Sequence, residues 1–289
     1  MKLLKILQII LILTLLSIMS YFGYMTYKEA KVYEEKTSQI AKMSDAHGLA
    51  SEKIDALTSA ISLGLVKNET KEKLTKLQYM EKQANRKSKN YFYYFLLTLG
   101  GVTLLSFTCS LRGAAMTLSF STFIALIYGL INPILMVTIH KNVEYLGDVI
   151  LSFESKGIIG SISKLFDSGE IAVALTILLF SVTLPLLKSL TLTFTLLFYD
   201  KSWSIKLVNF FKHLGKWSML DVFVVATFLV YITTNGGEMT HAEIQVGLYF
   251  FLIYVILSMI VALLTQKVLL HKAREIGSID SKKKMELLT

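Results

Sequence analysis

Two charged side chains lie inside apolar runs that are long enough to cross a membrane. Lys188 stands in "TLPLLKSL", one helical turn after Pro185, and Asp221 stands in "GKWSMLDVF". A charge at the middle of a spanning helix costs roughly 2.5–3.5 kcal/mol, so it normally faces the helix bundle and finds a partner there. At about 1.5 Å per residue, Lys188 lies roughly 15 Å and Asp221 roughly 6 Å from the nearer ends of their predicted spans. Because a lysine stem extends towards the membrane surface, the two charges can meet at one depth.

We therefore predict a Lys188–Asp221 ion pair, with Ser189, Thr191 and Ser218 as neighbouring hydrogen-bonding groups. Three interpretations of this pair are open. It fixes the register of two helices, or it forms a polar site on a substrate or proton pathway, or Asp221 simply reaches water at the interface.

Both prolines of the chain lie in apolar runs that predict membrane helices. Pro133 stands in "YGLINPILM" and Pro185 precedes Lys188 by three residues. Proline inside a helix removes a hydrogen bond and clashes with the preceding turn, at a cost of about 3 kcal/mol or more. Membrane helices tolerate it where neighbouring groups satisfy the freed carbonyl. We predict a helix kink at each proline, which either serves packing or opens a helix that lines a cavity.

The composition is that of an integral membrane protein. The 289 residues are 53% hydrophobic and only 18% charged, against about 25% charged in soluble domains. The mean hydropathy is +0.55. The net charge of +9 comes from basic residues beside apolar blocks, where the positive-inside rule places them, so no nucleic-acid partner is expected.

The sequence lacks several common motifs of soluble enzymes. Cys109 is the single cysteine and the five histidines are scattered, which argues against a disulfide framework and a metal site. There is no HExxH motif, no phosphate-binding glycine loop and no GxSxG motif. We expect neither enzyme activity nor a cofactor.

Six segments are apolar over the roughly 20 residues that a spanning helix needs. Residues 91–139 would form one helix about 74 Å long, more than twice the hydrocarbon thickness, so the run must break, and we place the break at residues 110–113. The predicted spans are 6–25, 91–110, 115–139, 171–198, 217–234 and 246–264. The expected fold class is an all-α integral membrane protein with six transmembrane helices.

Loop charges predict the orientation of these spans. Basic residues dominate 199–216 and the tail after 264, whereas acidic residues dominate 140–170 and 235–245. The basic segments should face the cytoplasm, which puts both termini inside and residues 28–90 outside.

The segments outside the membrane carry their own patterns. Apolar residues at helical spacing on either side of a break at 64–68 predict that 28–90 forms an antiparallel helical hairpin extending the first two spans. This hairpin is either a solvated stalk or a docking surface for a partner. Residues 149–153 predict a short strand, and 158–166 predict an amphipathic helix at the membrane interface.

Two separated stretches resemble one family. "GKWSMLDVFVVA", residues 215–226, is similar to the signature of the paraquat-inducible protein A family of bacterial inner-membrane proteins. The motif residues are Gly215, Trp217, Met219 and Leu220. "SKGIIGSISKLFDSGEIAVALTILLFSVTLPLLKSL", residues 155–190, resembles the family's preceding segment, with its Pro-x-x-Lys element at Pro185 and Lys188. The resemblance covers about residues 115–270, which is one four-helix module.

The resemblance implies a function in lipid transport. Members of the family act beside proteins with mammalian-cell-entry (MCE) domains, which form periplasmic lipid tunnels. It implies phospholipid passing between the inner membrane and a periplasmic MCE partner, with Lys188 and Asp221 as the family's intramembrane charges. Many members hold two modules and cysteine zinc ribbons. This chain has one module and no ribbon, so we expect no bound metal, and a homo-oligomer or a partner subunit would complete the path.

The resulting division of the chain has five parts. They are an N-terminal membrane anchor (1–27), a periplasmic helical hairpin (28–90), a second anchor helix with a cytoplasmic turn (91–114), the four-helix module (115–270) and a cytoplasmic tail (271–289). Two other functions fit a chain of this kind, a membrane sensor or scaffold and a stand-alone proton-coupled transporter. The tail is too short for a kinase or cyclase domain, and the internal repeats usual in transporters are not evident.

Overall fold

The protein is mostly helical, with one small sheet. A computed structural model describes residues 2–54, 64–143, 147–198 and 240–286. The helices are α1 (Lys2–Ile54), α2 (Gly64–Ser106), α3 (Leu111–Ile131), α4 (Ile158–Asp167), α5 (Ile171–Ile177), a π-helical segment (Leu178–Thr183), α6 (Leu184–Leu197) and α7 (Val246–Glu286). The strands are β1 (Pro133–Val143), β2 (Gly147–Gly157) and β3 (Thr240–Ile244).

Four helices in the described part of the chain are long and apolar enough to cross a membrane, by length and composition alone. They are Ile6–Lys42, Leu111–Ile131, Ile171–Leu197 and Val246–Lys272. They correspond to predicted spans one, three, four and six. Predicted span two is helical as far as Ser106 but is not among the four. Predicted span five, residues 217–234, lies outside the described residues.

Helices α1 and α2 pack against each other as a long antiparallel pair. Buried residues of α1 recur in alternating steps of four and three, the heptad spacing of a left-handed coiled coil. They are Ile12, Leu16, Met19, Gly23, Thr26, Ala30, Tyr33, Thr37 and Ile40. The seam runs without interruption from the apolar half of α1 into its polar half, so the expected helical hairpin is one continuous extension of the anchor helix.

The helix α3 ends before Pro133, and the predicted kink at Pro133 is therefore wrong. Asn132 has extended backbone angles (φ −75°, ψ 151°), and Pro133 is the first residue of β1. The proline ring disfavours helical angles for the residue before it, and a first strand position tolerates the missing N–H. The predicted third span, which continued to residue 139, is shortened for the same reason.

Pro185, in contrast, stays inside a helical run. The π-helical segment Leu178–Thr183 lies directly before α6, which begins at Leu184. The Thr183 hydroxyl donates to the carbonyl oxygen of Leu178 at 3.1 Å. The irregular hydrogen bonding thus lies in the turn just before the proline, where the proline ring disrupts regular α-helical hydrogen bonds.

A three-stranded antiparallel sheet with the order β2-β1-β3 stands where three membrane helices begin or end. The predicted strand 149–153 lies within β2, and the predicted amphipathic helix is α4. Met136 of β1 is directly opposite Ser155 of β2 and Glu243 of β3. The sheet packs against α1, where the Tyr33 hydroxyl donates to a carboxylate oxygen of Glu243 at 3.1 Å.

One aromatic side chain of α7 joins the N-terminal helices to the rest of the bundle. Phe250 is fully buried and meets Phe95 and Phe92 of α2 edge-on, with ring centroids 4.7 and 5.0 Å apart. Tyr128 of α3 contacts the same ring at 5.9 Å. Such pairs add about 0.5–1.5 kcal/mol each beyond the burial of apolar area, so α2, α3 and α7 share one core.

Tyr128 also fixes the position of α1. Its hydroxyl donates to the carbonyl oxygen of Ser20 at 2.8 Å, and its ring lies directly over Gly23. A Cβ atom at Gly23 would clash with that ring. The absence of a side chain at this position is therefore what lets the anchor helix approach the module.

We expect Gly23→Ala to destabilise the protein by about 1–3 kcal/mol, because it overpacks a ring whose hydroxyl is held in place. The matched control is Gly100→Ala on α2, where an added Cβ meets nothing within 4 Å. Thermal unfolding of the detergent-purified protein measures both changes. A melting temperature for Gly23→Ala equal to that of Gly100→Ala would contradict the proposed contact.

Candidate functional site

The candidate site is built around Lys188, on the helix α6, which packs against α3 and α7. Lys188 is half-buried and lies one turn after Pro185 in α6. Its ammonium nitrogen donates to the hydroxyl oxygen of Ser258 on α7, at 3.2 Å. Ser258 is fully buried near the middle of the candidate span Val246–Lys272. The half-buried lysine thus points its ammonium group at a buried hydroxyl near the middle of this span.

A second polar contact joins the same two helices one turn away. The Tyr254 hydroxyl donates to the carbonyl oxygen of Pro185 at 3.3 Å, and Tyr254 is fully buried. On α7, Ser258 follows Tyr254 by four residues, and on α6, Lys188 follows Pro185 by three. Residues at these spacings share one face of a helix, so both contacts lie between the same two facing sides of α6 and α7. Ser258 also donates to the Val255 carbonyl oxygen at 2.9 Å. The two helices are thus joined by polar contacts near the proline.

Ser189, the residue after Lys188, has an unusual environment. Its side chain is only 2% exposed, and its hydroxyl has no hydrogen-bond partner among the described residues. A serine in a helix usually donates to the carbonyl four residues earlier, but that carbonyl belongs to Pro185 and accepts from Tyr254. A buried hydroxyl without a partner costs about 1–3 kcal/mol. Ser189 is therefore an enclosed hydroxyl whose hydrogen-bonding capacity is unused within the described part of the chain.

The seam between α6 and α3 carries further hydroxyl groups. The hydroxyls of Ser119 and Thr193 lie 2.7 Å apart across it. Thr193 also donates to the carbonyl oxygen of Ser189 at 2.9 Å. The predicted site residue Thr191 instead donates to Leu187 within its own helix, at 2.6 Å. Its hydroxyl is therefore satisfied without the site.

An arginine marks the end of this seam. Arg112, in the first turn of α3, donates to the carbonyl oxygens of Leu196 and Leu197 at 3.2 and 3.3 Å. These carbonyls belong to the last turn of α6, where the helix dipole favours a cation. The contact fixes the start of α3 against the end of α6, one edge of the bundle.

The structure tests only part of the predicted constellation. It places Lys188 and Ser189 in the bundle, whereas Asp221 and Ser218 lie outside the described residues, as do Gly215, Trp217, Met219 and Leu220. The Lys188–Asp221 pair therefore stays a prediction. Sequence reasoning missed Ser258 and Tyr254, although two polar side chains four residues apart in an apolar run were a usable signal. Among the described residues, no group of His, Cys, Asp or Glu is placed to hold a metal ion.

These features define an α-helical membrane protein with a polar site inside its helix bundle. The family model for paraquat-inducible protein A matches residues 113–275, more than half of the chain. The chain belongs to the paraquat-inducible protein A family. No curated protein and no solved structure matches it. The matched region begins in the first turn of α3 and includes Lys188, Ser189, Tyr254 and Ser258, so the site lies within the family's own module.

We expect Ser189→Ala and Ser258→Ala to have opposite effects on stability. Ser189→Ala removes a buried hydroxyl that has no partner among the described residues, so the free energy of unfolding should stay the same or rise by about 1 kcal/mol. Ser258→Ala removes the acceptor of the Lys188 ammonium and should lower it by about 1–3 kcal/mol. Thermal unfolding in detergent measures both. A clear loss of stability in Ser189→Ala would contradict the unpartnered hydroxyl.

Proposed function

We propose that this protein is the inner-membrane component of an MCE-type lipid transport system. It passes phospholipid between the inner membrane and a periplasmic MCE-domain partner. The single observation that carries the proposal is the polar site at Lys188, inside a module that belongs to the paraquat-inducible protein A family. A half-buried cation within an apolar run of the module is suited to an anionic headgroup.

The chemistry of the site fits a phosphate group. A lysine ammonium is a compact cation that donates hydrogen bonds, and Ser258 accepts one from Lys188. The Ser189 hydroxyl lies on the next residue of the same helix and offers one donor and two acceptor lone pairs. In this proposal Asp221 completes the site by balancing Lys188 when no headgroup is bound, and its protonation switches the module between two states.

We also propose the six-span topology, with both termini in the cytoplasm and the hairpin in the periplasm. The apolar part of α2 packs along the apolar part of α1, where Val102 lies in one cluster with Ile12 and Leu16. If α1 crosses the membrane there, α2 must cross beside it. With the segment 217–234 as the fifth span, the count is even. A single module then requires a second copy or a partner subunit to complete the lipid path.

Two other functions remain alternatives, a membrane sensor or scaffold and a stand-alone proton-coupled transporter. The continuous helices α1 and α2 resemble a sensory input domain in outline, and the buried lysine suits a proton pathway. Neither alternative accounts for the family membership as directly as lipid transport with an MCE partner does.

Co-purification tests the proposal against its alternatives. We expect the tagged full-length protein, extracted in mild detergent, to retain an MCE-domain protein and bound phospholipid, both identified by mass spectrometry. A soluble signalling partner without lipid would favour the sensor. Proton-coupled uptake by reconstituted vesicles, with neither MCE protein nor lipid retained, would favour the transporter.

We expect Lys188→Ala and Asp221→Asn each to abolish outer-membrane barrier function while the protein still accumulates in the membrane. Removing one member of a buried pair leaves the other charge uncompensated, at a cost of about 3–5 kcal/mol. Detergent and antibiotic sensitivity of the cells measures the barrier, and immunoblots of membranes measure the protein. The control is Lys267→Ala at an exposed position of α7. Normal barrier function in both site variants would contradict the assignment.

A further inference from the structure

The outward face of α2 carries a row of cations that the functional site does not use. Lys76, Tyr79, Lys82, Arg86 and Lys89 are all exposed, and they follow one another in steps of three, three, four and three. Steps of three and four place side chains on one face of a helix. We call these five residues the basic stripe.

The basic stripe lies opposite the face that α2 packs against α1. The inner face includes Ala84 and Ser88, which are buried, and the Ser88 hydroxyl donates to the carbonyl oxygen of Thr26 on α1 at 3.2 Å. The sheet packs mainly against α1. In the described part of the chain, the outward face of α2 is thus left uncovered.

The charge of the stripe is of one sign. The acidic residue within the length of the stripe, Glu81, is half-buried and accepts from Thr37 of α1 at 3.2 Å, and the exposed Glu72 lies one turn beyond Lys76, at the end of the stripe. The exposed side of α1 is mixed, with Lys28 and Lys31 beside Glu35. Ordinary solvated helix faces intersperse both signs, so the stripe differs from its partner helix.

Tyr79 lies near the Lys76 end of the stripe and is 67% exposed. Tyrosine and arginine are enriched at the centres of protein interfaces, and the rim of an interface is polar. The stripe therefore combines a large aromatic anchor with charges that can steer a partner.

Membrane lipid headgroups can interact only with the Lys89 end of the stripe. Aromatic side chains of the two helices meet just beyond Lys89, where Phe22 stacks on Tyr91 with centroids 6.4 Å apart and contacts Tyr94 at 5.5 Å. Such aromatic belts lie at headgroup level. Lys76 is about 20 Å further along the helix axis than Lys89, whereas screening limits headgroup charges to about 8 Å at physiological salt.

We propose that the basic stripe is a docking surface for a protein with an acidic face that stands on the same membrane beside the hairpin. The charge complementarity identifies the chemistry of the partner, and the length of the stripe requires a surface that rises about 20 Å from the headgroups. The docking surface rests on the proposed function, which places the hairpin outside the membrane. It adds that the outward face of α2 binds the partner and that the attraction is between basic and acidic side chains.

Site-specific photo-crosslinking in living cells tests this surface. The photoreactive amino acid p-benzoylphenylalanine replaces Tyr79 in the full chain, and mass spectrometry identifies the crosslinked peptide. We expect a protein adduct whose attached peptide carries net negative charge. Adding Lys82→Glu and Arg86→Glu should lower the adduct yield at least about tenfold, because two attractions become repulsions.

The control variant carries Lys28→Glu and Lys31→Glu on the exposed side of α1, which should leave the adduct yield unchanged. Both pairs of substitutions are at exposed positions, so equal melting temperatures for the two variants show that folding is retained. A lipid adduct, an adduct to a second copy of this chain, no adduct, or a yield insensitive to charge reversal on α2 would each overturn the docking surface.

The outcomes separate this inference from the proposed function. An acidic protein without an MCE domain, captured at Tyr79 in a charge-dependent manner, would support the docking surface and contradict the MCE partnership. An MCE protein that co-purifies with the chain, with no adduct at Tyr79, would overturn the docking surface and leave the lipid transport proposal standing.

Discussion

A charged lysine inside a membrane helix must find its polar partners within the protein, because hydrocarbon offers none. Lys188 meets this requirement by donating a hydrogen bond to Ser258. Three residues earlier, the carbonyl oxygen of Pro185 accepts a hydrogen bond from the Tyr254 hydroxyl. In a regular helix, that carbonyl is the one to which the Ser189 hydroxyl would donate. These contacts fix how α6 faces α7. The Ser189 hydroxyl finds no partner among the described residues because the Pro185 carbonyl already accepts from Tyr254.

The parts outside the family module are attached by close packing rather than by a flexible tether. Tyr128 holds α1 through Ser20 and Gly23, and Phe250 brings α2 into the core of the module. A further contact between Tyr33 and the sheet extends this attachment beyond the apolar region. The helices α1 and α2 and the sheet therefore pack directly against the helices of the module.

Much of the fold followed from patterns that act over short distances. Apolar runs predicted the candidate spans, and the local pattern predicted a strand in β2 and the helix α4. The strand β1 was missed because its first half was assigned to the predicted third span, and β3 because its five residues lie in what was predicted as the loop 235–245. The kink predicted at Pro133 was wrong for a related reason. The length of the apolar run favoured a helix continuing to residue 139, but the proline ring disfavours helical backbone angles at Asn132, and the helix ends there.

The sequence by itself determined that the chain is a helical membrane protein, that Lys188 stands within an apolar run and which family's motifs it carries, because composition and spacing are properties of the chain alone. Only the tertiary structure decided which groups surround that charge. Ser258 and Tyr254 are more than sixty residues from Lys188 and Pro185, and hydrogen bonds depend on distances of a few tenths of an ångström. No periodicity along the chain specifies which buried serine faces the lysine and which is left without a partner.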